Sequence, residues 1–332
     1  MNKLLIITGP TATGKSALAI DIAKLYDGEI ISADSRQVYT GLDIGSAKVT
    51  AGEMDGIPHH MIDIANPVSD VFTVADFQML AREKILDIRS RGKLPILCGG
   101  TGMYIDAVVY DMQFPTVPAD MELRDTLGQQ PASELFAQLQ ILDPVRAENI
   151  DKHNKVRLIR AIEVANSRKS QGMLPCLGEL SRNETEGYKI FNQYKNTTPS
   201  LVPRVTPLWQ EGISELYTTL WIGLYLPKDT MIERISSRIT DRIPVLFDEI
   251  KHLQSIGVTD QRLHGFGLEY RYGLMYVRGE INEAEFIELL TTKTWQFSKR
   301  QMTWFKRNNE INWFDPITDK QKILEQVKEF FF

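Results

Sequence analysis

The chain carries Gly9-Pro10-Thr11-Ala12-Thr13-Gly14-Lys15-Ser16 near its start, a match to G-x-x-x-x-G-K-[ST]. An apolar run, Leu4-Leu5-Ile6-Ile7, precedes it, and an apolar pattern at helical spacing, Ser16 to Leu25, follows. Strand, glycine-rich turn and helix in that order are the context in which this pattern binds a di- or triphosphate. Glycines let the backbone wrap closely so that N–H groups point at phosphate oxygens. The helix N-terminus adds a favourable dipole. Lys15 would neutralise phosphate charge, and the Ser16 hydroxyl would ligate Mg²⁺. The pattern specifies the phosphates and not the molecule that carries them, so ATP is one candidate.

Enzymes that use ATP or GTP through such a loop usually hold the metal with a further acid at a strand end. Here only Asp34, at the end of Glu29-Ile30-Ile31-Ser32-Ala33, meets that description. It could act as a general base or behind a metal; an Asp in a turn or at a helix N-cap is the structural alternative. Pro95-Ile96-Leu97-Cys98 leads into Gly99-Gly100-Thr101-Gly102, where the Thr101 hydroxyl could meet a phosphate or an amine. Arg234 and Arg238 lie four apart on one helix face, spaced to reach pyrophosphate or simply to face water.

The elements needed to position these groups alternate strand and helix through the first third, which predicts an α/β fold with a parallel sheet. A helix is expected over Phe77 to Arg91 and a returning strand over 220–226, with helices from there to the end. Phe114-Pro115-Thr116-Val117-Pro118 reads as a linker. Glu122 to Arg168 reads as an α-helical insertion. The expected organisation is a core of 1–112 and 216–332 and an insertion of 113–215, with a long connection at 183–215.

The 332 residues suffice for about two domains. Hydrophobic residues make up 43% and charged residues 24%, a globular composition that argues against disorder. The N-terminal apolar run is too short for a secretion signal, and no stretch is long enough to span a membrane. Two cysteines, Cys98 and Cys176, give no disulfide framework. A cytoplasmic monomer is expected. The net charge of −5 does not suggest nucleic acid, yet local patches do. Asp151 to Lys169 carries +4 and Thr291 to Asn309 carries +5, the latter interleaved with Trp295, Phe297, Trp304 and Phe305. Basic charge beside aromatics suits single-stranded RNA; an amphipathic helix with aromatics inward is the plainer alternative.

Together these residues resemble the tRNA dimethylallyltransferase (isopentenyltransferase) family. The resemblance rests on the phosphate loop and on Asp34-Ser35-Arg36-Gln37-Val38-Tyr39 running on through Gly41 to Lys48. Pro58 to Asp63, Phe72 to Phe77 and Pro95 to Tyr104 also match, as do Asn154 to Val164 and Ser298-Lys299-Arg300-Gln301-Met302-Thr303-Trp304-Phe305. It implies a P-loop α/β core whose helical insertion grips the anticodon arm. It also implies transfer of a dimethylallyl group from dimethylallyl diphosphate to N6 of the adenosine just 3′ of the anticodon.

By resemblance Asp34 is the general base and Thr101 its partner hydroxyl. Lys15, Arg238 and Ser16 with Mg²⁺ stabilise departing pyrophosphate. Ser35, Arg36 and Gln37, with Asp34 and Thr101, would contact tRNA, as would Arg124 and the run Val156, Arg157, Leu158, Ile159 and Arg160. The chain departs from the family at Gly265 to Tyr272, at Arg242 to Phe247 (where a glycine-centred turn is usual) and in its long 183–215 connection. A P-loop small-molecule kinase or NTPase is the competing function, and an RNA-binding protein with a vestigial loop is a third.

Overall fold

The computed structural model describes residues 2–110, 112–115, 117–170 and 216–331. By contact the chain divides into two compact units, Met1–Val109 with Glu215–Phe332, and Tyr110–Ser214. The 183–215 connection lies outside the described residues.

The first unit is built on a parallel sheet of β1 (Lys3–Thr8), β2 (Gly28–Ala33), β3 (His59–His60), β4 (Leu94–Gly99), β5 (Thr218–Leu224) and β6 (Asn312–Phe314). The strand order is β3-β2-β4-β1-β5-β6. Near-continuous apolar sequence is what a strand covered on both faces requires, and β2 and β4 are buried throughout. Leu5, Ile7, Ile30, Ile96 and Ile222 point to one face, against Leu18, Ala19 and Ile22 of α1 (Lys15–Leu25) and Ile323 and Val327 near the C-terminus. The alternate residues Leu4, Ile6, Ile31 and Leu97 point the other way, where α3 (Val74–Ser90) and α4 (Gly102–Val109) pack. A short α2 (Ala51–Met54) precedes β3.

The second unit is helical over its described residues: α5 (Met121–Gly128), α6 (Ala132–Leu142), α7 (Pro144–Asn149) and α8 (Lys155–Ser170). Its core is Leu127, Leu135, Leu139, Ala147, Leu158 and Ile162. After β5 come α9 (Lys228–Ser255), α10 (Asp260–Phe266), α11 (Leu268–Val277), α12 (Glu283–Phe305) and, after β6, α13 (Lys320–Phe331). Helices α9 to α12 share a core with the loop after β2 through Val38, Leu42, Ile235, Ile250, Phe266, Tyr270 and Phe286.

Two expectations need correction. The chain does not run to its end in helices alone, because Asn312–Phe314 adds an edge strand beside β5; three residues are too few to show a period of two. The helix expected from Phe77 begins at Val74, since Thr73 and Asp76 form a reciprocal capping box there. At Arg242 to Phe247, where the chain departs from the family's usual turn, the backbone stays helical. Pro244 lies inside the 28-residue α9, exposed on its outer side, while Ile239, Ile243, Leu246 and Ile250 hold the inner face. No described helix is long and apolar enough to cross a membrane.

Candidate active site

In a parallel sheet all strand C-termini lie at one edge, where α/β proteins bind ligands. The register aligns Ala33 with Gly99 and Thr8 with Gly99. The next residues are therefore Asp34 on β2, Gly100 on β4 and Gly9 on β1. With strands about 4.8 Å apart, the loops after β1 and β2 stand about 10 Å from each other, with the β4 loop between.

The loop after β1 is shaped to receive an anion. Gly9 has φ of 137°, and a Cβ there would meet the Leu224 carbonyl oxygen at 2.4 Å. Gly14, at φ of 89°, is the N-cap of α1 and offers no side chain to the first-turn N–H groups. Those donors are thus left for a ligand. Thr13 Oγ1 and Lys15 Nζ both donate to the Pro10 carbonyl, at 2.9 and 2.6 Å, closing the loop. Burial, with Arg238 nearby, lowers the Lys15 pKa to about 8 against the pull of Asp34.

Asp34 opens a turn. Its Oδ1 accepts the N–H groups of Arg36 at 2.8 Å and Gln37 at 3.3 Å. The turn reading of this residue holds, since Oδ1 fixes the turn. Thr101 is anchored by its N–H on the Ala33 carbonyl, and its Oγ1 accepts the Ser35 N–H at 3.2 Å. Its hydroxyl proton is then directed elsewhere. Gln37 is committed within the loop: its Oε1 accepts from Ser32 Oγ at 2.9 Å and its Nε2 donates to the Ala47 carbonyl at 3.3 Å.

The motif residues that follow turn out to build this loop. Lys48 is buried and binds the Tyr39 carbonyl, Asp43 and Asp63. Glu249 of α9 accepts the N–H groups of Asp43, Ile44 and Gly45 and the Tyr270 hydroxyl.

Helix α9 presents Arg234, Arg238 and Arg242 along one stripe. With Glu233, Ser237 and Asp241 they line a cleft of about 450 Å³. Arg234 Nη1 reaches the Ala12 carbonyl at 3.5 Å, which places this cleft beside the phosphate loop. Burial lowers the Arg238 pKa, against Glu269 and Asp34 whose charges favour the cation. Glu269 itself, half-buried at the start of α11, is pushed up by burial against the influence of Arg238. Sequence reasoning passed over Glu269, Arg242 and Gln301; a spacing of four from Arg238 pointed to Arg242, and Gln301 sat inside a recognised motif.

Ser16 heads α1 and is exposed. Among the described residues no cluster of three His, Cys, Asp or Glu could hold a metal. A lone hydroxyl beside phosphate oxygens and water suits Mg²⁺, which keeps several waters and takes few protein ligands.

In the helical unit, Arg124 and Arg160 are directed inward onto buried Glu163. Arg124 Nε and Nη2 donate to its two oxygens at 2.9 and 2.8 Å, the Asp120 N–H adds a third bond, and Arg160 Nη1 a fourth. Burial would raise the Glu163 pKa, but these cations hold it at about 2. Leu158 is in the core and Ile159 is half-buried, whereas Val156 and Arg157 are exposed. The aromatics of the C-terminal patch are mostly structural. Phe305 is buried, and Trp304 packs on Gly102 and donates to Asp106 at 3.0 Å. The Arg307 guanidinium lies 3.8 Å from the Trp304 ring centroid.

The model of the family described as IPP transferase matches residues 37–308. This chain belongs to the IPP transferase family. It is 38% identical to a tRNA dimethylallyltransferase of Geobacillus thermodenitrificans over 99% of this chain and 95% of that one. It is 37% identical to the one from Anoxybacillus flavithermus over 98% and 94%. Among solved structures, the tRNA isopentenylpyrophosphate transferase of Bacillus halodurans superimposes with a TM-score of 0.65 at 33% identity, over 99% of this chain and 95% of that one. A eukaryotic dimethylallyltransferase acting on tRNA shares the fold, with a TM-score of 0.76 at 23% identity over 99% of this chain and 79% of that one. The family model begins at residue 37, after the phosphate loop and Asp34, while the similarity to the Geobacillus and Anoxybacillus relatives spans 98–99% of the chain.

Proposed function

We propose that this chain transfers a dimethylallyl group from dimethylallyl diphosphate to N6 of the adenosine immediately 3′ of a tRNA anticodon, releasing pyrophosphate. The observation that carries the reading is the placement of Asp34 and Thr101 on strand ends adjoining an anion loop.

In the step the N6 lone pair forms a bond to C1 of the donor. The C1–O bond breaks, and its electron pair leaves on pyrophosphate. Asp34 Oδ2 takes the N6 proton, and Thr101 orients the amine. The N–H groups at the head of α1, with Lys15, Arg234 and Arg238, stabilise the charge that grows on the leaving oxygen. Stabilisation of developing charge by preorganised donors is usually what contributes most to such catalysis. Mg²⁺, held by Ser16 and the diphosphate, would add charge neutralisation there. The target base must leave its stack, at a cost of a few kcal/mol that is least in a loop. Exposed Arg157 offers a phosphate contact; the inward-facing Arg124 and Arg160 shape the helical unit that carries it.

The test is mass spectrometry of an unmodified anticodon stem-loop after incubation with protein, Mg²⁺ and dimethylallyl diphosphate, beside a tube with ATP. One prenyl group gained on one adenosine, and none with ATP, is expected. ATP consumption without prenyl gain would instead identify a kinase or NTPase.

A further inference from the structure

Gln301 projects from α12 between the two loops that meet the donor. Its Oε1 accepts the Thr11 N–H at 3.0 Å, and its Nε2 donates to the Gly100 carbonyl at 2.9 Å. The side chain is buried, with Gln301 only 9% exposed. A Cβ on Gly100 would come within 2.5 Å of Gln301 Nε2, so the glycine is what admits the amide. Register pairing between β1 and β4 ends at Thr8 and Gly99. Beyond that point the strands no longer bind each other, and the Gln301 amide spans the gap in their place.

The pattern of donors separates this bond from phosphate binding. Pro10 has no N–H. The Thr11 N–H is turned to Gln301, which leaves the donors from Ala12 to Ser16 for an anion. Gln301 therefore does not compete with the ligand; it fixes where the loop stands relative to the residue after Gly100, which is Thr101.

We propose that Gln301 is a positioning residue for prenyl transfer: its amide sets the spacing between the phosphate loop and Thr101, and hence between the donor carbon and the acceptor amine. This rests on the transfer reaction proposed above. Misplacing reacting groups by about 1 Å costs on the order of a hundredfold in rate. The side chain meets backbone on both loops and touches no reacting atom, so its loss should fall on kcat.

Gln301→Met keeps the volume and removes both hydrogen bonds. Expected are a kcat lowered about tenfold to a hundredfold, with Kd for inorganic pyrophosphate and for the tRNA stem-loop each within about threefold of wild type. Unchanged kcat would overturn the proposal. So would parallel losses of kcat, pyrophosphate affinity and tRNA affinity with a lowered Tm, the signature of a merely structural side chain. Gln301→Glu keeps the acceptor for Thr11 and loses the donor to Gly100; it should also lose kcat, and wild-type kcat in it would overturn the proposal even if the methionine variant fails to fold. A wild-type protein that transfers no prenyl group sinks the reaction itself. Wild-type transfer matched by Gln301→Met sinks only the clamp.

Discussion

At the scale of single residues, the proposed reaction divides its chemistry between Asp34 and Lys15. One oxygen of Asp34 is tied to Arg36 and Gln37, so an amide in its place preserves the turn while removing the base. Asp34→Asn should lower kcat by about a hundredfold or more, in the range that general bases contribute, with tRNA affinity unchanged in a filter-binding assay. Activity near wild type would remove Asp34 as the proton acceptor. Lys15, with its pKa lowered to about 8, is charged below that pH and neutral above it. KM for dimethylallyl diphosphate should therefore rise as pH passes 8, while KM for the stem-loop stays flat. Initial rates on either side of that pH decide it; a flat donor KM would place Lys15 away from the diphosphate.

At the scale of elements, charge and backbone each make one test. The helical unit gathers Arg124, Arg160 and the Asp120 N–H on one buried carboxylate, Glu163. Glu163 is buried, but Arg124 and Arg160 are about a third exposed and can turn to water, so losing the carboxylate costs about 1–3 kcal/mol. Glu163→Ala should lower the stability of that unit by this amount, read as protease sensitivity within 121–170, with donor binding in the core retained. The Glu163 pKa is depressed, so its contribution is present above the ordinary glutamate range and is lost as pH falls toward 2. In α9, Pro244 interrupts the helical hydrogen bonds from an exposed position. Pro244→Ala should raise stability by about 1–3 kcal/mol, seen as a higher Tm, since proline in a helix interior costs about 3.

At the scale of the whole molecule, the joint between α4 and α12 links the sheet to the C-terminal helices. Burial raises the Asp106 pKa to about 7, against Arg307 and the Trp304 hydrogen bond. The folded state thus holds a proton that the unfolded chain has released between the ordinary aspartate value and pH 7. Stability from this group is full at low pH and declines as pH rises toward 7. Asp106→Asn keeps the acceptor for Trp304 and should flatten that dependence in urea melts taken between pH 5 and 7 (about the window set by burial). An unchanged slope would place the titration elsewhere.

Local order determined what could be read without coordinates. The phosphate loop is contiguous, its glycines and Lys15 are chemically demanding, and the flanking strand and helix have periods visible in a few residues. Asp34 and Thr101 were legible for the same reason, as polar residues closing apolar runs. The helical insertion also showed in its spacing. Tertiary structure alone decided the roles of residues whose partners lie far along the chain. Gln301 meets Thr11 and Gly100 across some 290 and 201 positions, Glu249 caps the loop at Asp43 to Gly45, and Trp304 finds Asp106. The inward turn of Arg124 and Arg160 was hidden likewise, because composition records a charge but not the direction in which a helix presents it. Edge strand β6 exists only because β5 offers unpaired backbone beside it. A period or a motif lies within one stretch of sequence; a hydrogen bond between distant segments depends on the fold that brings them together.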